Sequence, residues 1–130
     1  VLISNSGNNS IMNKRIKLER YILKEYQAKD SQTFLYQLNY EFYFDKEKFS
    51  ILLNKCNSLA KEYHEFGKSD NYDEVVKSLL AIFEHTLYLF FVHFVENDMF
   101  TISNYGKDLT ATDVSDYYLQ IRDITEKIIL

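Results

Sequence analysis

The chain of 130 residues contains no proline, no tryptophan, one cysteine and three glycines. Because proline and glycine are the residues that most often interrupt regular structure, their scarcity favours a few long elements over many short ones. The single cysteine, Cys56, excludes an intrachain disulfide and any metal site built on several thiolates. A lone thiol fits a reducing compartment, and its position within an apolar helical pattern predicts a small buried side chain rather than a nucleophile.

Motifs for common chemistry are also missing. The glycines are isolated, so there is no phosphate-binding loop, and no serine lies in a Gly-x-Ser-x-Gly elbow. The first ten residues, VLISNSGNNS, lack the basic and apolar regions of a secretory signal. The most apolar run, 79–95, is slightly short for a membrane span and includes Glu84 and two histidines. We therefore expect a cytoplasmic, non-enzymatic protein with no cofactor, no bound metal, no small-molecule ligand and no membrane partner.

Aromatic residues are abundant, with eleven tyrosines and ten phenylalanines. The length suits one domain with a real hydrophobic core. The Ser, Asn and Gly content of residues 1–10 predicts a disordered lead-in, and residues 11–130 are then a single helical domain.

The apolar spacing predicts four helices. The first covers about 11–29, with Ile11, Leu18, Ile22 and Tyr26 on its apolar stripe. The second has apolar residues at i, i+3, i+4 and i+7 through 49–63, and Gly67 is placed to cap its C-terminus.

The third predicted helix begins at Ser69 or Asp70 and is apolar nearly all round through 79–95, which predicts the most buried helix of the domain. The last begins at Thr110 or Thr112 in a Thr-x-x-Asp arrangement and runs to the C-terminus. The pattern as a whole predicts an all-α fold, an up-and-down four-helix bundle.

The stretch 34–44, FLYQLNYEFYF, alternates apolar and other residues as a strand would. A strand would need a partner, however, and the other candidate strands are very short. As a helix, Phe34, Leu38 and Phe42 continue into the stripe of the second helix. We therefore predict one continuous second helix that begins near Ser31 or Thr33.

Charge is unevenly distributed along the chain. Residues 14–29 carry six basic and two acidic groups, whereas residues 62–98 carry eight acidic and two basic groups. Such a dipole can orient partners or pair two copies head to tail, or it can simply reflect a basic helix packed beside acidic ones. The basic helix alone could contact phosphates, but the sequence pI of 5.3 is far from a nucleic-acid footprint, so we do not expect nucleic-acid binding.

Without assembled chemistry, the function we predict is a non-catalytic protein-interaction module that binds another protein or itself. The predicted contact surface is aromatic with an acidic rim: Tyr36, Tyr40, Tyr43, Glu62, Glu65, Asp70 and Asp73. One alternative is an immunity or antitoxin protein whose acidic surface covers a toxin. The other is a metal-binding helical-bundle enzyme that uses His85, His93, Glu84 and Glu96.

Two resemblances to families bear on these predictions. The closing segment LTATDVSDYYLQIRDITEKIIL resembles the last helix of HEPN ribonucleases, but no histidine follows an arginine at the spacing of their catalytic Arg-x(4–6)-His motif. The segment FYFDKEKFSILLNKCNSLAKEY, residues 42–63, is similar to the second helix of the YppE-like bundles, small uncharacterised proteins of Gram-positive bacteria. That resemblance, over about 34–130, implies a four-helix fold and supplies no catalytic residue. The tryptophans and the proline-containing linker expected in those proteins are missing here.

Overall fold

The computed structural model describes residues 2–96 and 99–129, and of residues 2–12 the backbone alone. The described residues form five helices: α1 (Leu2–Gln27), α2 (Phe34–Glu41), α3 (Lys46–Phe66), α4 (Tyr72–Phe94) and α5 (Ala111–Ile129). These ranges contain no strand, and an isolated bridge pairs Tyr105 with Leu109. The predicted all-α class is confirmed.

Helix α1 begins at Leu2, although the sequence predicts a start near Ile11. It therefore runs through residues 2–10, for which the composition predicts a disordered lead-in; Val1 lies outside the described residues, and so does the side chain of Ile11. No proline stops the helix there, and a helical glycine such as Gly7 costs only about 1 kcal/mol relative to alanine. Further along, Leu18 and Ile22 are buried as the apolar stripe predicts.

The predicted continuous second helix is wrong, because the chain turns a corner between α2 and α3. Phe42 adopts a left-handed conformation with φ of 57°, which ends α2, and the Tyr43 N–H then donates to the Gln37 carbonyl at 3.2 Å. The side chain of Asp45 begins α3 by accepting the Lys48 N–H at 3.0 Å. The predicted start at Thr33 is confirmed, since its hydroxyl accepts the Tyr36 N–H.

The buried side chain of Asn104 holds this corner in place. Its Oδ1 accepts the Phe44 N–H at 3.0 Å and its Nδ2 donates to the Phe44 carbonyl at 2.7 Å. Both backbone groups of Phe44 are therefore satisfied without a helix. The fully buried ring of Phe44 packs edge-on against Phe34 and also contacts Phe49. The predicted helical stripe places Phe34, Leu38 and Phe49 in the core correctly. It also includes Phe42, which is exposed, and leaves out Phe44, which is fully buried, because a corner and not a helical turn connects α2 to α3.

Around this aromatic centre, α1 packs against α3 and α4, α5 packs against the same two helices, and α2 lies against α1. Although α3 and α4 follow one another in the chain, they are not among the helix pairs with extensive contacts in the described residues.

The helix ends combine predicted and unpredicted caps. Gly67 ends α3 with φ of 81°, as predicted. Thr110 and Asp113 form the predicted capping box at the start of α5: each side chain accepts the other residue's backbone N–H, at 2.9 and 3.2 Å. Helix α4, however, begins after Asn71 and not after Ser69 or Asp70, because the Ser69 hydroxyl bonds to the buried Glu19 carboxylate and to the Asn71 N–H.

Helix α4 is buried on one side only, although its sequence is apolar nearly all round. Tyr88, Phe91 and Phe94 are each more than half exposed, because the neighbouring helices leave one side of α4 uncovered. Within the described residues α4 alone is long and apolar enough to cross a membrane, with a mean hydropathy of 1.6 over its most apolar window. Forty-four per cent of that window is buried in the protein, and core helices of soluble proteins meet the same criterion.

Candidate protein-interaction groove

A shallow groove follows the seam between α1 and α4. Its first depression, of about 390 Å³, is lined from three helices by Tyr26, Leu35, Ala81, Glu84, His85 and Tyr88. A second depression, of about 280 Å³, continues toward the start of α4 and is lined by Leu23, Tyr26, Gln27, Glu74, Lys77 and Ser78. Because Tyr26 lines both, we treat the two depressions together as the α1–α4 groove.

One side of the groove is a stripe on α4 made of Lys77, Ala81, Glu84 and Tyr88, and the stripe continues beyond the groove to Phe91. Their spacing of four, three, four and three residues places them on one face of the helix. The exposed fractions of Tyr88 and Phe91 are 58% and 65%. At a rise of about 1.5 Å per residue, the part of α4 that lines the groove, from Glu74 to Tyr88, extends for about 21 Å.

Leu35 is the residue of α2 that lines the groove, and we call this side the α2 wall. Glu25 of α1 holds it in place. This buried carboxylate accepts the N–H of Phe34 at 3.1 Å and that of Leu35 at 3.3 Å, and so occupies the N-terminus of α2. Burial raises the pKa of Glu25, and the two backbone donors oppose that increase. Because its backbone N–H is held in this way, Leu35 is fixed where its side chain lines the groove.

His85 joins the α2 wall to α4. Its Nε2 lies 3.0 Å from Oδ1 of Asn39, and its ring stacks on Tyr88 with 6.3 Å between the ring centres. These contacts place the imidazole between Asn39 of α2 and Tyr88 of α4.

The charged side chains of the groove have no partner in the described part of the chain. Glu74, Lys77 and Glu84 are exposed, and none of them forms an ion pair there. By contrast, Lys24 on α1 is bound to Asp30 at 3.3 Å. The groove therefore presents two uncompensated carboxylates and one ammonium group beside its aromatic rings.

Of the three predicted surface tyrosines, the structure brings two together. Tyr36 and Tyr40 lie on α2 with their ring centres 4.8 Å apart, and Tyr40 is 63% exposed whereas Tyr36 is half-buried. Tyr43 follows the end of α2 and lines a separate depression with Lys46 and Asp108. The predicted aromatic surface is therefore two sites, and neither includes the groove.

The predicted acidic rim does not form one surface either. Glu62 is buried and binds Lys14 at 3.3 Å, so its carboxylate links α3 to α1 and is not presented to a partner. Glu65 is exposed in a depression of about 600 Å³ that also includes His64 and Lys127. Asp70 and Asp73 are exposed at the turn before α4 and in its first turn.

His93 makes a structural hydrogen bond, and Cys56 is buried in the core. Nδ1 of His93 accepts the Ile102 N–H at 2.9 Å, and burial lowers the pKa of this imidazole. Glu96 is exposed, and the described residues contain no group of three or more His, Cys, Asp or Glu side chains that could hold a metal ion. Cys56 is fully buried, which raises the pKa of its thiol to about 12.

Sequence reasoning missed the two tyrosines of the groove. It placed Tyr26 on the core stripe of α1, but Tyr26 is 49% exposed. For the third predicted helix it identified one apolar face from Val75 to Phe94, and Tyr88 was not on that face. The available signal was the second stripe through Ala81, Glu84 and Tyr88, in which a small and a charged residue interrupt the apolar run.

The chain was also compared with known proteins. A scan against protein-family models, a search of curated proteins and a search of solved structures each gave no match.

Proposed function

We propose that the protein is a non-catalytic interaction module that binds a segment of another protein in the α1–α4 groove. The observation that carries the proposal is the pair of exposed tyrosines that line the groove, Tyr26 of α1 and Tyr88 of α4, which are 49% and 58% exposed. The ring of Phe91, also more than half exposed, follows Tyr88 on the same face of α4. Tyrosine and phenylalanine are enriched in protein interfaces, and contiguous exposed apolar surface in a monomer often has a binding function.

The dimensions of the groove suit a peptide segment. Its length of about 21 Å matches about 14 residues of helix or six to seven extended residues. Helices that bind in grooves use apolar anchors at i, i+3 or i+4 and i+7, which fits a line of separate depressions. The carboxylates of Glu74 and Glu84 favour a protein over an anionic membrane surface, which attracts Lys and Arg.

Photo-crosslinking tests the proposal directly. Tyr88 is replaced by p-benzoylphenylalanine in the source cells, and adducts are identified by mass spectrometry. Tyr118 on α5 is the matched control, because it is also about half exposed, at 49%, and α5 does not line the groove. We expect one foreign protein attached at position 88 and absent from position 118.

Two results would contradict the proposal. An equal set of adducts at both positions would mean that Tyr88 meets proteins only by chance. An adduct with twice the mass of the chain would show that the groove is a self-association surface, and sedimentation equilibrium of the purified chain would then show a concentration-dependent dimer.

In a second version of this proposal, the chain is an immunity-type protein and its partner is a basic toxin. The supporting observation is that Asp70 and Asp73 are exposed near the Glu74 end of the groove. Co-expression with a toxin encoded beside this gene would test it: protection that is lost in the Asp70→Asn, Asp73→Asn double variant supports this form, and unchanged protection rejects it.

We also infer that the four long helices form a four-helix bundle, as the contacts of α1 and α5 with both α3 and α4 suggest. In that arrangement α3 and α4 lie diagonally opposite, so the order of neighbours differs from the simplest up-and-down bundle. Spin-label distances between exposed sites on α3 and α4 should then exceed those between α1 and α4. A bundle fold agrees with the YppE-like resemblance, which stays a prediction, and the lone buried thiol agrees with a cytoplasmic location.

A further inference from the structure

The middle of the α1–α4 groove combines two aromatic rings with an unpaired carboxylate. Tyr26 of α1 and Tyr88 of α4 both line this depression, and Glu84 lies one helical turn before Tyr88. Ala81, a small side chain between larger ones, leaves space on the floor of the depression. Lysine and arginine side chains bind to aromatic faces and to carboxylates, so this lining suits a cationic side chain.

No cation of the described chain neutralises Glu84. Lys77 is the nearest cation before it on α4, seven residues away, or about 10.5 Å along the helix axis. On α1, the ammonium group of Lys24 is bound to Asp30. His85, which faces the same depression, is within hydrogen-bond distance of the Asn39 side chain. The negative charge of Glu84 is therefore available to a ligand.

We propose that a lysine or arginine side chain of the bound segment inserts between Tyr26 and Tyr88 and pairs with Glu84. This inference rests on the function proposed above and adds the chemistry of the partner. The aliphatic stem packs against Leu35 and Ala81 while the charged group reaches the carboxylate. Arginine fits better than lysine, because its planar guanidinium can stack on a tyrosine ring and donate two parallel hydrogen bonds to one carboxylate.

Nuclear magnetic resonance with small probes tests the inference without knowledge of the partner. The full chain, labelled with ¹⁵N, is titrated with n-butylguanidinium chloride as the cationic probe and with n-butanol as an uncharged probe of equal stem length. We expect the cationic probe to shift the amides of Ala81, Glu84 and Tyr88 at concentrations at least about fivefold lower than butanol requires. High salt should reduce that preference.

Two variants make the test specific. Glu84→Gln keeps the size of the side chain and removes its charge, so the preference for n-butylguanidinium should disappear while binding of n-butanol stays unchanged. Glu65→Gln removes an exposed acid from α3, outside the groove, and should keep the full preference. Unchanged amide shifts elsewhere in each spectrum show that both variants are folded.

The possible results separate this inference from the proposed function. Equal titration by the two probes, a cationic preference that survives in Glu84→Gln, or shifts confined to another surface would each overturn the inference. If position 88 crosslinks a foreign protein but the cationic probe has no advantage, the interaction function stands and its partner binds by apolar contacts. If the cationic preference is present but no crosslink forms, the groove binds cations and the proposed protein partner is rejected.

Discussion

Replacing Asn104 by alanine should destabilise the protein far more than the loss of one small polar side chain suggests. The Asn104 amide satisfies both the N–H and the carbonyl of Phe44, at 3.0 and 2.7 Å, in a buried position. Each buried backbone group left without a partner costs about 1–3 kcal/mol, so Asn104→Ala should lower the free energy of unfolding by about 2–6 kcal/mol. That is a large share of the roughly 5–15 kcal/mol that stabilise a typical domain.

Urea denaturation followed by far-ultraviolet circular dichroism measures this loss. Asn54→Ala is the matched control, because Asn54 is exposed on α3 and its replacement should change the free energy of unfolding by no more than about 0.5 kcal/mol. Asn104→Asp adds a second check. At neutral pH its carboxylate would face the Phe44 carbonyl without a proton to donate, so this variant should recover stability, relative to the wild type, as the pH falls.

A loss below about 1 kcal/mol in Asn104→Ala would refute the reasoning, because it would fall short of even one unsatisfied buried backbone group. The corner between α2 and α3 would then depend on the packing of Phe44 and not on its backbone hydrogen bonds. If Asn104→Asp does not regain stability relative to the wild type as the pH falls, that result would also indicate that the backbone hydrogen bonds of Phe44 contribute little.

Three further predictions concern other buried or strained positions. Gly67→Ala should lower the free energy of unfolding, measured by urea denaturation, by about 1–3 kcal/mol, because only glycine readily adopts a φ of 81° with a ψ of 179°. A loss near zero would show that the turn rearranges. The Cys56 thiol, with its pKa raised to about 12, should react with a disulfide reagent only at the rate of unfolding, and fast labelling of native protein would contradict its burial. Because the pKa of Glu25 is raised on folding, its contribution to stability should be present at low pH and decline as the pH rises above the ordinary pKa of 4.5. The difference in the free energy of unfolding between the wild type and Glu25→Gln should follow that pH dependence. A difference that stays constant with pH would reject this prediction.

Periodicity predicted most of the helical content because it reports which residues face the core. Leu18, Ile22 and Phe49 are buried as their spacing requires, and Gly67 and Thr110 lie at helix ends as their backbone preferences require. These features depend on residues that are close in sequence. For the same reason the pattern could not show the corner at Phe42, whose cause is a side chain about sixty residues away, Asn104.

The sequence does not predict the α1–α4 groove, for a related reason. The exposure of an aromatic residue on α4 depends on where α1 and α2 pack, and no local pattern records that. Tyr40 is exposed, as the predicted contact surface requires, whereas Glu62, an acid of the same predicted surface, is buried against Lys14. A charged residue on a helix looks the same in a sequence whether it faces water or an ion-pair partner on another helix.

One part of the groove, the side that Leu35 lines, depends on the stability of the short helix α2. Helices of fewer than about 12 residues are marginal in water, and α2 has eight. It therefore depends on the burial of Phe34 and Leu38 and on the hydrogen bonds that Glu25 and Asn104 make at its two ends. We expect the amides of α2 to exchange with solvent through a local opening that leaves α3 and α4 folded. A segment bound against Leu35 would stabilise the state in which α2 is folded, so the affinity of the groove would depend partly on how often α2 unfolds. A substitution of Asn104, which lies outside the groove, would then weaken binding.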